Sequence, residues 1–225
     1  MNVVYSLTRN LYPYLEGAIA SLLEHNKAKV YVIAEDDELP FPNSCEVINM
    51  RDQEYFKASC PNLSNRFSYM AMLRVCTADI IPEDKVIQLD IDTIVCDSLG
   101  PIWNVDLTGK WIAWVPEHQG HWDPYGRAYY NFGVAVLNLE QMRRDKASSM
   151  LVNELNTKVY PFIDQDVMNL FAVPHKSVEL PVRYNECFCC GFTDDPAIVH
   201  YAGEPLWYQE KVPRWEYRAK YERVL

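Results

Sequence analysis

Two carboxylates that lie two positions apart close an apolar run in the middle of the chain. The run begins after Lys85 and ends in Asp90 and Asp92. Such a run predicts a buried strand, and residues two apart on a strand share a face, so both carboxylates can reach one ion. Paired carboxylates suit hard cations such as Mg²⁺ and Mn²⁺, which also bind phosphate oxygens. A solvated strand end would show the same spacing, so both interpretations stay open.

A histidine much later in the chain offers a third ligand. His200 ends the short apolar run 198–200, and Gly203 follows, where backbone can approach a ligand closely. Two aspartates and a histidine would leave coordination positions open for two phosphate oxygens. A metal held in this way would neutralise a leaving diphosphate as a Lewis acid. A histidine hydrogen-bonded at a strand end is the alternative.

The elements that must position these residues alternate in the manner of an α/β domain. Strands are predicted over residues 2–5, 30–34, 86–89, 111–115 and 134–139. Apolar residues recur at helical spacing from Tyr14 to Leu23, and a second helix is predicted over 68–75. This alternation indicates a largely parallel sheet, in which ligands bind beyond the carboxyl ends of the strands. The stretch 116–130 is predicted to be a long loop.

Composition limits the possible classes of protein. The 225 residues are 49% hydrophobic, which is enough for one core, and the length is too short for two comfortable domains. A formal net charge of -10 disfavours nucleic acid and anionic membrane surfaces as partners. No secretory signal and no membrane-spanning stretch is recognisable in the sequence. Seven cysteines without a disulfide-like spacing favour free thiols, so we expect a cytoplasmic protein with no integral membrane segment.

Further motifs follow one another in a fixed order along nearly the whole chain. They are Leu7-Thr8 with Asn10, Tyr69-Met70 to Arg74, Leu89 to Asp92, Tyr130 to Val134, Asp164-Gln165-Asp166, Leu180-Pro181 with Asn185, and His200 to Gly203. In this order they resemble glycosyltransferase family 8, the group that contains glycogenin and the bacterial lipooligosaccharide galactosyltransferases. The resemblance implies a GT-A fold, a single domain over 1–225 with a mainly parallel Rossmann-like sheet flanked by helices. Residues 1–100 would form the nucleotide-binding half and 101–225 the acceptor half.

The resemblance also implies a role for each matching residue. The implied ligands of Mn²⁺, or alternatively Mg²⁺, are Asp90, Asp92 and His200. The implied donor-binding residues are Ser6, Leu7, Thr8, Asn10, Asp90, Ile91, Asp92 and Gly203. The implied catalytic residues are Arg74 and Asn131 beside the donor sugar, Asp164 bound to sugar hydroxyls, and Gln165 near the anomeric carbon. Taken without the resemblance, Arg74 would be a surface charge on a helix and Asp164 a helix N-cap.

The implied activity is Mn²⁺-dependent transfer of a hexose, with retention of configuration, from UDP-glucose or UDP-galactose to a glycan or other hydroxyl acceptor. Because the amide of Gln165 is a poor nucleophile, front-face attack within an ion pair is favoured over a covalent intermediate. The alternatives are a sugar-nucleotide hydrolase or nucleotidyltransferase, and a non-catalytic sugar-nucleotide-binding module. Residues 6–10 contain no glycine of a phosphate-binding loop, and neither metal aspartate is lost, which disfavours both alternatives.

Three positions depart from the pattern of the family. Thr8 stands where many bacterial members have aspartate, and Leu206 stands where a phosphate-contacting lysine is usual. Phe132 replaces a small residue, so we expect its ring to narrow or deflect the sugar pocket. Lys211 or Arg214 is the candidate replacement for the missing cation.

Two further clusters lie outside these motifs. The first comprises Cys187, Cys189 and Cys190, and the second comprises His118, His121 and Trp122 in the predicted loop. The cysteine spacing is too close for a typical zinc site, so free thiols near the acceptor rim are expected. The loop residues either contact the acceptor or belong to an ordinary surface loop.

Overall fold

Residues 1–118, 128–173, 175–203 and 212–221 are described by a computed structural model of the chain. The strands in these ranges are β1 (Asn2–Leu7), β2 (Lys29–Ala34), β3 (Cys45–Asn49), β4 (Lys85–Leu89), β5 (Thr93–Val95), β6 (Ile112–Pro116), β7 (Tyr130–Asn138), β8 (Ser177–Glu179) and β9 (Ile198–His200). The α-helices are α1 (Tyr12–His25), α2 (Tyr69–Met72), α3 (Thr77–Ile80), α4 (Gly100–Trp103), α5 (Leu139–Arg144), α6 (Ala147–Thr157), α7 (Ile163–Ala172) and α8 (Trp215–Ala219).

A seven-stranded sheet runs in the order β3-β2-β1-β4-β7-β6-β8, and β5 pairs with β9 in a separate antiparallel ribbon. The first four strands are mutually parallel, whereas β7 is antiparallel to both β4 and β6. The start of β7 therefore lies at the same edge of the sheet as the ends of β1, β4 and β6. Polar residues that follow those strands, or that begin β7, meet at this edge.

Two apolar layers cover the faces of the sheet. On one face, Leu15, Ile19 and Leu22 of α1 pack against the strands, and on the other face α6 and α7 contribute buried residues such as Leu151 and Met168. The central strands β4 and β7 are buried along almost their whole length, as expected for strands covered on both faces. This rigid double-sided core fixes the edge at which the polar residues gather.

The sequence-based prediction of elements is confirmed for the predicted strands and for α1, with small shifts at their ends. The second predicted helix is broken, because α2 passes into a 3₁₀ turn, Leu73–Cys76, before α3 begins. The Thr77 hydroxyl donates to the carbonyl oxygen of Arg74 at 2.7 Å, a side-chain bond that competes with a regular helix. The loop predicted over 116–130 falls largely on residues 119–127, which lie outside the described residues. It is flanked by the end of β6 at Pro116 and the start of β7 at Tyr130. No helix in the described ranges is long and apolar enough to cross a bilayer.

Candidate active site

Three metal-ligating side chains meet at the edge of the sheet. Asp90 and Asp92 lie on the turn between β4 and β5, and His200 ends β9, paired with the first residue of β5. His200 Nε2 lies 3.3 Å from Asp92 Oδ1 and 3.8 Å from Asp90 Oδ2. One ligand-capable atom from each residue lies within 4.8 Å of the others. We call these residues the metal triad.

The two aspartates converge for a different reason from the one the spacing predicted. β4 ends at Leu89, so the carboxylates belong to a turn and not to one face of a strand. Between them, Ile91 is buried in the core, and its burial turns both flanking side chains toward the edge. Ile91 thus holds the turn that carries Asp90 and Asp92 in place.

A glycine on the neighbouring strand makes room for the metal triad. A Cβ atom on Gly133 of β7 would lie 2.1 Å from His200 Cε1 and 2.9 Å from Asp90 Oδ2. No side chain can occupy that space, so the imidazole and the carboxylate depend on glycine at this position. The Gly133 carbonyl also accepts a hydrogen bond from the Asp90 amide at 2.7 Å.

The electrostatics of the metal triad favour a bound positive charge. Burial alone would raise the pKa of Asp92, but the charge and hydrogen bond of His200 hold that pKa below its ordinary value. Burial would lower the pKa of His200, but Asp92 raises it well above the ordinary value. Two carboxylates and an imidazole are a donor set that fits a divalent cation.

One arginine connects the metal triad to a second buried carboxylate. Arg74 Nε donates to Asp164 Oδ2 at 2.6 Å, and its Nη1 donates to Asp90 Oδ1. Burial would lower the pKa of Arg74, but Asp164 and Asp90 raise it. Burial raises the pKa of Asp164 to about 6, although the charge of Arg74 opposes that rise. Arg74 is therefore not a surface charge, and it lies between the two carboxylates.

A chain of amides occupies the other side of the site. Glu117 follows β6, and its Oε1 accepts from Asn131 Nδ2 at 3.0 Å and from Gln165 Nε2 at 3.1 Å. Asn131 Oδ1 accepts from Asn185 Nδ2 at 2.9 Å, and Asn185 Oδ1 lies 2.8 Å from His200 Nδ1. We call Gln165, Glu117, Asn131 and Asn185 the amide chain. It joins the residue expected near the sugar to a member of the metal triad.

The residues expected to bind the nucleotide lie at the end of β1. Ser6 Oγ donates to the carbonyl oxygen of Met70 at 2.8 Å, and the side chains of Thr8 and Asn10 are hydrogen-bonded to each other. The Leu7 side chain is buried in the core, so Leu7 can offer a ligand only its backbone. The same holds for the buried Ile91. The two polar side chains of this loop and Gly203, at φ 79°, lie at the surface or half-buried.

Comparison with known proteins decides the family. The model of the family described as glycosyl transferase family 8 matches residues 2–206. The chain belongs to glycosyl transferase family 8. Among its relatives is the glycosyltransferase GlyA of Streptococcus pneumoniae, 29% identical over 209 residues, which covers 81% of this chain and 29% of GlyA. Another is a probable galacturonosyltransferase-like protein of Arabidopsis thaliana, 30% identical over 66% of this chain and 42% of that protein.

Solved structures show the fold of this family 8 chain. The galactosyltransferase LgtC, in complex with donor and acceptor sugar analogs, matches with a TM-score of 0.78 at 23% identity, over 100% of this chain and 96% of LgtC. The apo form of GlyE from Streptococcus pneumoniae matches with a TM-score of 0.74 at 22% identity, over 98% of this chain and 59% of GlyE. The fold is therefore GT-A, as the sequence predicted. The chain spans less than two thirds of the length of GlyA and of a putative glycosyltransferase of Haemophilus influenzae.

The expectation that Phe132 narrows the sugar pocket is wrong. Its side chain is fully buried, edge-on to Trp114 with ring centroids 6.0 Å apart and beneath the guanidinium of Arg74. The alternation of side chains along β7 explains this, because Asn131 and Gly133 face the site and the residue between them faces the core. The bulky residue of this family 8 chain supports Arg74 from below.

The structure also corrects the expectation that Arg214 replaces the missing cation. Its Nε donates to Oε1 of the buried Glu186 at 2.7 Å, and its Nη2 donates to the Thr193 carbonyl at 2.7 Å. These bonds hold the segment before α8 onto the preceding loop. The other positions of that comparison, Leu206 and Lys211, lie outside the described residues.

Asp164 is not the N-cap of its helix. The cap position of α7 is Phe162, and its amide donates to Asp166 Oδ2 at 2.8 Å. Asp164 lies inside the first turn, where its carboxylate binds Arg74. The capping role therefore belongs to the second aspartate of the Asp-Gln-Asp motif, and the first is available to the site.

The cysteine cluster lies beside the site. Cys187, Cys189 and Cys190 are free thiols, and the group able to hold a metal in the described part of the chain is the metal triad. His118 is exposed, and its amide donates to the Cys189 carbonyl at 2.9 Å. His121 and Trp122 lie outside the described residues. Glu117 and Asn185 join the two sides of the site. The sequence analysis missed Glu117 and had Asn185 only as part of a family motif, with no role assigned.

Proposed function

We propose that this family 8 chain is a retaining hexosyltransferase that takes a hexose from a UDP-hexose and transfers it to a hydroxyl of a glycan or other acceptor. The observation that carries the proposal is the convergence, at one edge of the sheet, of the metal triad, the Arg74–Asp164 pair and the amide chain. This arrangement places groups for a diphosphate and groups for a sugar side by side.

The metal triad would hold Mn²⁺, or alternatively Mg²⁺. Bound there, the cation would supply positive charge that neutralises a leaving diphosphate. Ser6, Thr8 and Asn10, at the carboxyl end of β1, would bind the nucleoside part of the donor. The 1–100 half would then supply the nucleotide loop, two metal ligands and Arg74, and the 101–225 half would supply His200, Asp164 and the amide chain.

On the sugar side, Asp164 would accept hydrogen bonds from sugar hydroxyls while Arg74 holds its carboxylate in place. Asn131 would meet the donor sugar, and Gln165 would lie near the anomeric carbon. Gln165 Oε1 already accepts the Phe132 amide at 3.0 Å, so this oxygen is engaged and is a poor nucleophile. Front-face attack by the acceptor within an ion pair therefore suits the site better than a covalent intermediate.

A solved structure of similar fold holds analogs of both kinds of substrate. LgtC was crystallised with donor and acceptor sugar analogs. By analogy of fold, this chain would bind a nucleotide-sugar donor and a glycan acceptor in the same crevice. A sugar-nucleotide hydrolase is the second candidate, since it would need the same metal triad and no acceptor.

The decisive experiment is titration of UDP with Mn²⁺ or with EDTA, followed by thermal unfolding. With Mn²⁺, UDP at 100 times its Kd should add about 2.7 kcal/mol to the free energy of unfolding. An equal shift in EDTA would contradict the metal triad as the diphosphate site. A panel of nucleotide sugars, with and without glycan acceptors, then separates transfer from hydrolysis by the products formed, and NMR of the product gives its anomeric configuration.

A further inference from the structure

The hydrogen bonds of the amide chain run in a defined direction from donor to acceptor, and Glu117 sets that direction from its place between Gln165 and Asn131. An ionised carboxylate only accepts hydrogen bonds. The atoms of Asn131 and Gln165 that contact Glu117 Oε1, at 3.0 and 3.1 Å, must therefore be their NH₂ groups. The carbonyl ends of both amides then point away from Glu117.

Two backbone amides select the same direction independently. The Gly133 N–H donates to Asn131 Oδ1, and the Phe132 N–H donates to Gln165 Oε1, both at 3.0 Å. A backbone N–H can only donate, so the side-chain atom that it meets must be the carbonyl oxygen. The side-chain amides of Asn131 and Gln165 are thus each oriented at the NH₂ group and at the carbonyl oxygen.

The same donor-to-acceptor direction continues through Asn185 to His200, a member of the metal triad. Since Asn131 Oδ1 accepts from Asn185 Nδ2 at 2.9 Å, Asn185 turns its own carbonyl oxygen toward His200 Nδ1, at 2.8 Å. An acceptor at that position places a proton on Nδ1. The ring therefore presents Nε2 to Asp90 and Asp92, as a histidine ligand of a cation must.

We propose that Glu117 is a positioning residue for both sides of this site. By accepting from Asn131 and Gln165, it fixes the amide of Gln165 and, through Asn131 and Asn185, the tautomer and ring orientation of His200. Its effect on metal affinity is independent of the proposed function, whereas its effect on turnover rests on that function. Both bonds go to the single atom Oε1, so the proposed role requires an accepting oxygen there, which can be kept while the charge is removed.

The test compares Glu117→Gln with Glu117→Leu, because the amide oxygen of glutamine can still accept both bonds and leucine cannot. Mn²⁺ affinity is measured from the EPR signal of the free ion, without substrate. Losing an outer partner of a metal ligand typically costs 10- to 100-fold in affinity. We expect Mn²⁺ affinity to fall on the order of 10-fold for Glu117→Leu, which acts on His200 through Asn131 and Asn185, and by less than about threefold for Glu117→Gln. Glu140→Leu, on the exposed face of α5, is the matched control and should not change Mn²⁺ affinity.

A double-mutant cycle with Asn185→Ala shows whether the effect passes along the chain. If it does, Glu117→Leu should cause little further loss of Mn²⁺ affinity once Asn185 is gone, because the connection is already cut. Additive losses would overturn the proposal. If the Asn185 variant does not fold, the comparison of the two Glu117 variants still decides. Equal losses of affinity in both would show that the charge acts directly, and no loss in either would show that Glu117 positions nothing.

Kinetics provide the second readout. With Mn²⁺ saturating, Glu117→Leu should lower kcat on the order of 10- to 100-fold with little change in the KM of the donor, since Gln165 loses its orientation and the nucleotide loop is untouched. Glu117→Gln should restore most of that kcat. If no donor is turned over by the wild-type chain, the proposed function fails, while the Mn²⁺ measurements continue to test Glu117. A Glu117→Leu variant with normal Mn²⁺ affinity and normal kcat would overturn the inference.

Discussion

The two sides of the site, the metal triad and the amide chain, are built in opposite ways. The metal triad is charged, and two of its members are two residues apart on one turn. The amide chain carries one charge, and its four members come from four separate segments, after β6, in β7, in α7 and before β9. Charge acts over a distance and tolerates small errors of position, whereas an amide works only when each donor meets an acceptor. Removal of a charge should therefore disrupt the metal triad, whereas displacement of a hydrogen-bond donor or acceptor should disrupt the amide chain.

The largest effect is expected on the charged side, from Asp92→Asn. The change keeps the size of the side chain but removes a negative ligand and the partner of His200 Nε2. Mn²⁺ affinity should fall by more than about 100-fold, beyond the usual loss for an outer partner, and UDP affinity and turnover should fall with it. Calorimetry with Mn²⁺ and UDP measures the loss. Normal UDP affinity in the folded variant would show that Asp92 is not a metal ligand.

Asp164→Asn should separate turnover from nucleotide binding. Asp164 contacts Arg74 and no member of the metal triad directly, so UDP affinity with Mn²⁺ should stay within a few-fold of wild type. Turnover should fall on the order of 100- to 1000-fold, as when a well-placed electrostatic contact is lost. Because Asp166 caps α7, the variant should remain folded. A loss of UDP affinity as large as that of Asp92→Asn would contradict the division of the site into two sides.

Gly133→Ala should displace groups on both sides of the site without changing any charge. The new Cβ would collide with His200 Cε1, so the ring must shift away from Asp90 and from Asn185. We expect Mn²⁺ affinity to fall on the order of 10-fold, with an overpacking cost of about 1–3 kcal/mol in stability. Gly100→Ala, where a Cβ would meet only Ser98 Oγ at 3.3 Å, is the matched control. Wild-type Mn²⁺ affinity in Gly133→Ala would show that the ring is not confined.

The smallest effect on donor selection is expected from Phe132→Ala. The ring is buried in the core, so its removal should cost about 3–5 kcal/mol in stability, with Phe132→Leu as a milder companion. Relative rates across a panel of UDP-hexoses should stay the same in both variants, because the ring does not face the sugar. Chemical denaturation and the donor panel provide the two measurements. Wider acceptance of bulky donors would place the ring at the pocket after all.

The motifs of the sequence pointed to Asp90, Asp92 and His200, which the structure brings together. They also pointed to Arg74, Asn131, Asp164 and Gln165, whose catalytic roles stay a prediction. The spacing of Asp90 and Asp92 was sufficient to pair them, although a turn with a buried Ile91 brings them together and not a strand. Gly133 carried a weaker signal, since a glycine within a strand often marks a close approach. Glu117 had the same signal as the aspartates, a carboxylate directly after a buried strand. Asn185 was visible only as one residue of a family motif, because its role depends on partners that only the folded chain provides.

Other parts of the fold could not be predicted for the same reason. β3 is an edge strand that is only partly buried, so its sequence lacks a strong apolar pattern. β5 and β8 are three residues long, too short for any periodicity. The break after α2 reflects the contacts of Arg74 with Asp90 and Asp164 and the bond from Thr77. These features depend on the tertiary structure, which overrides local preference.

The ribbon formed by β5 and β9 has a consequence for the order in which the chain can assemble. Three residue pairs join strands that are about 100 positions apart, and closing so long a loop is entropically costly for so few contacts. We therefore expect this ribbon, which carries His200, to form after the sheet around β4 and β7. A cation bound by the Asp90 turn and His200 would join this ribbon to the core of the sheet. The ion would then stabilise the last part of the chain to fold, and amide protons of β9 should exchange more slowly in its presence.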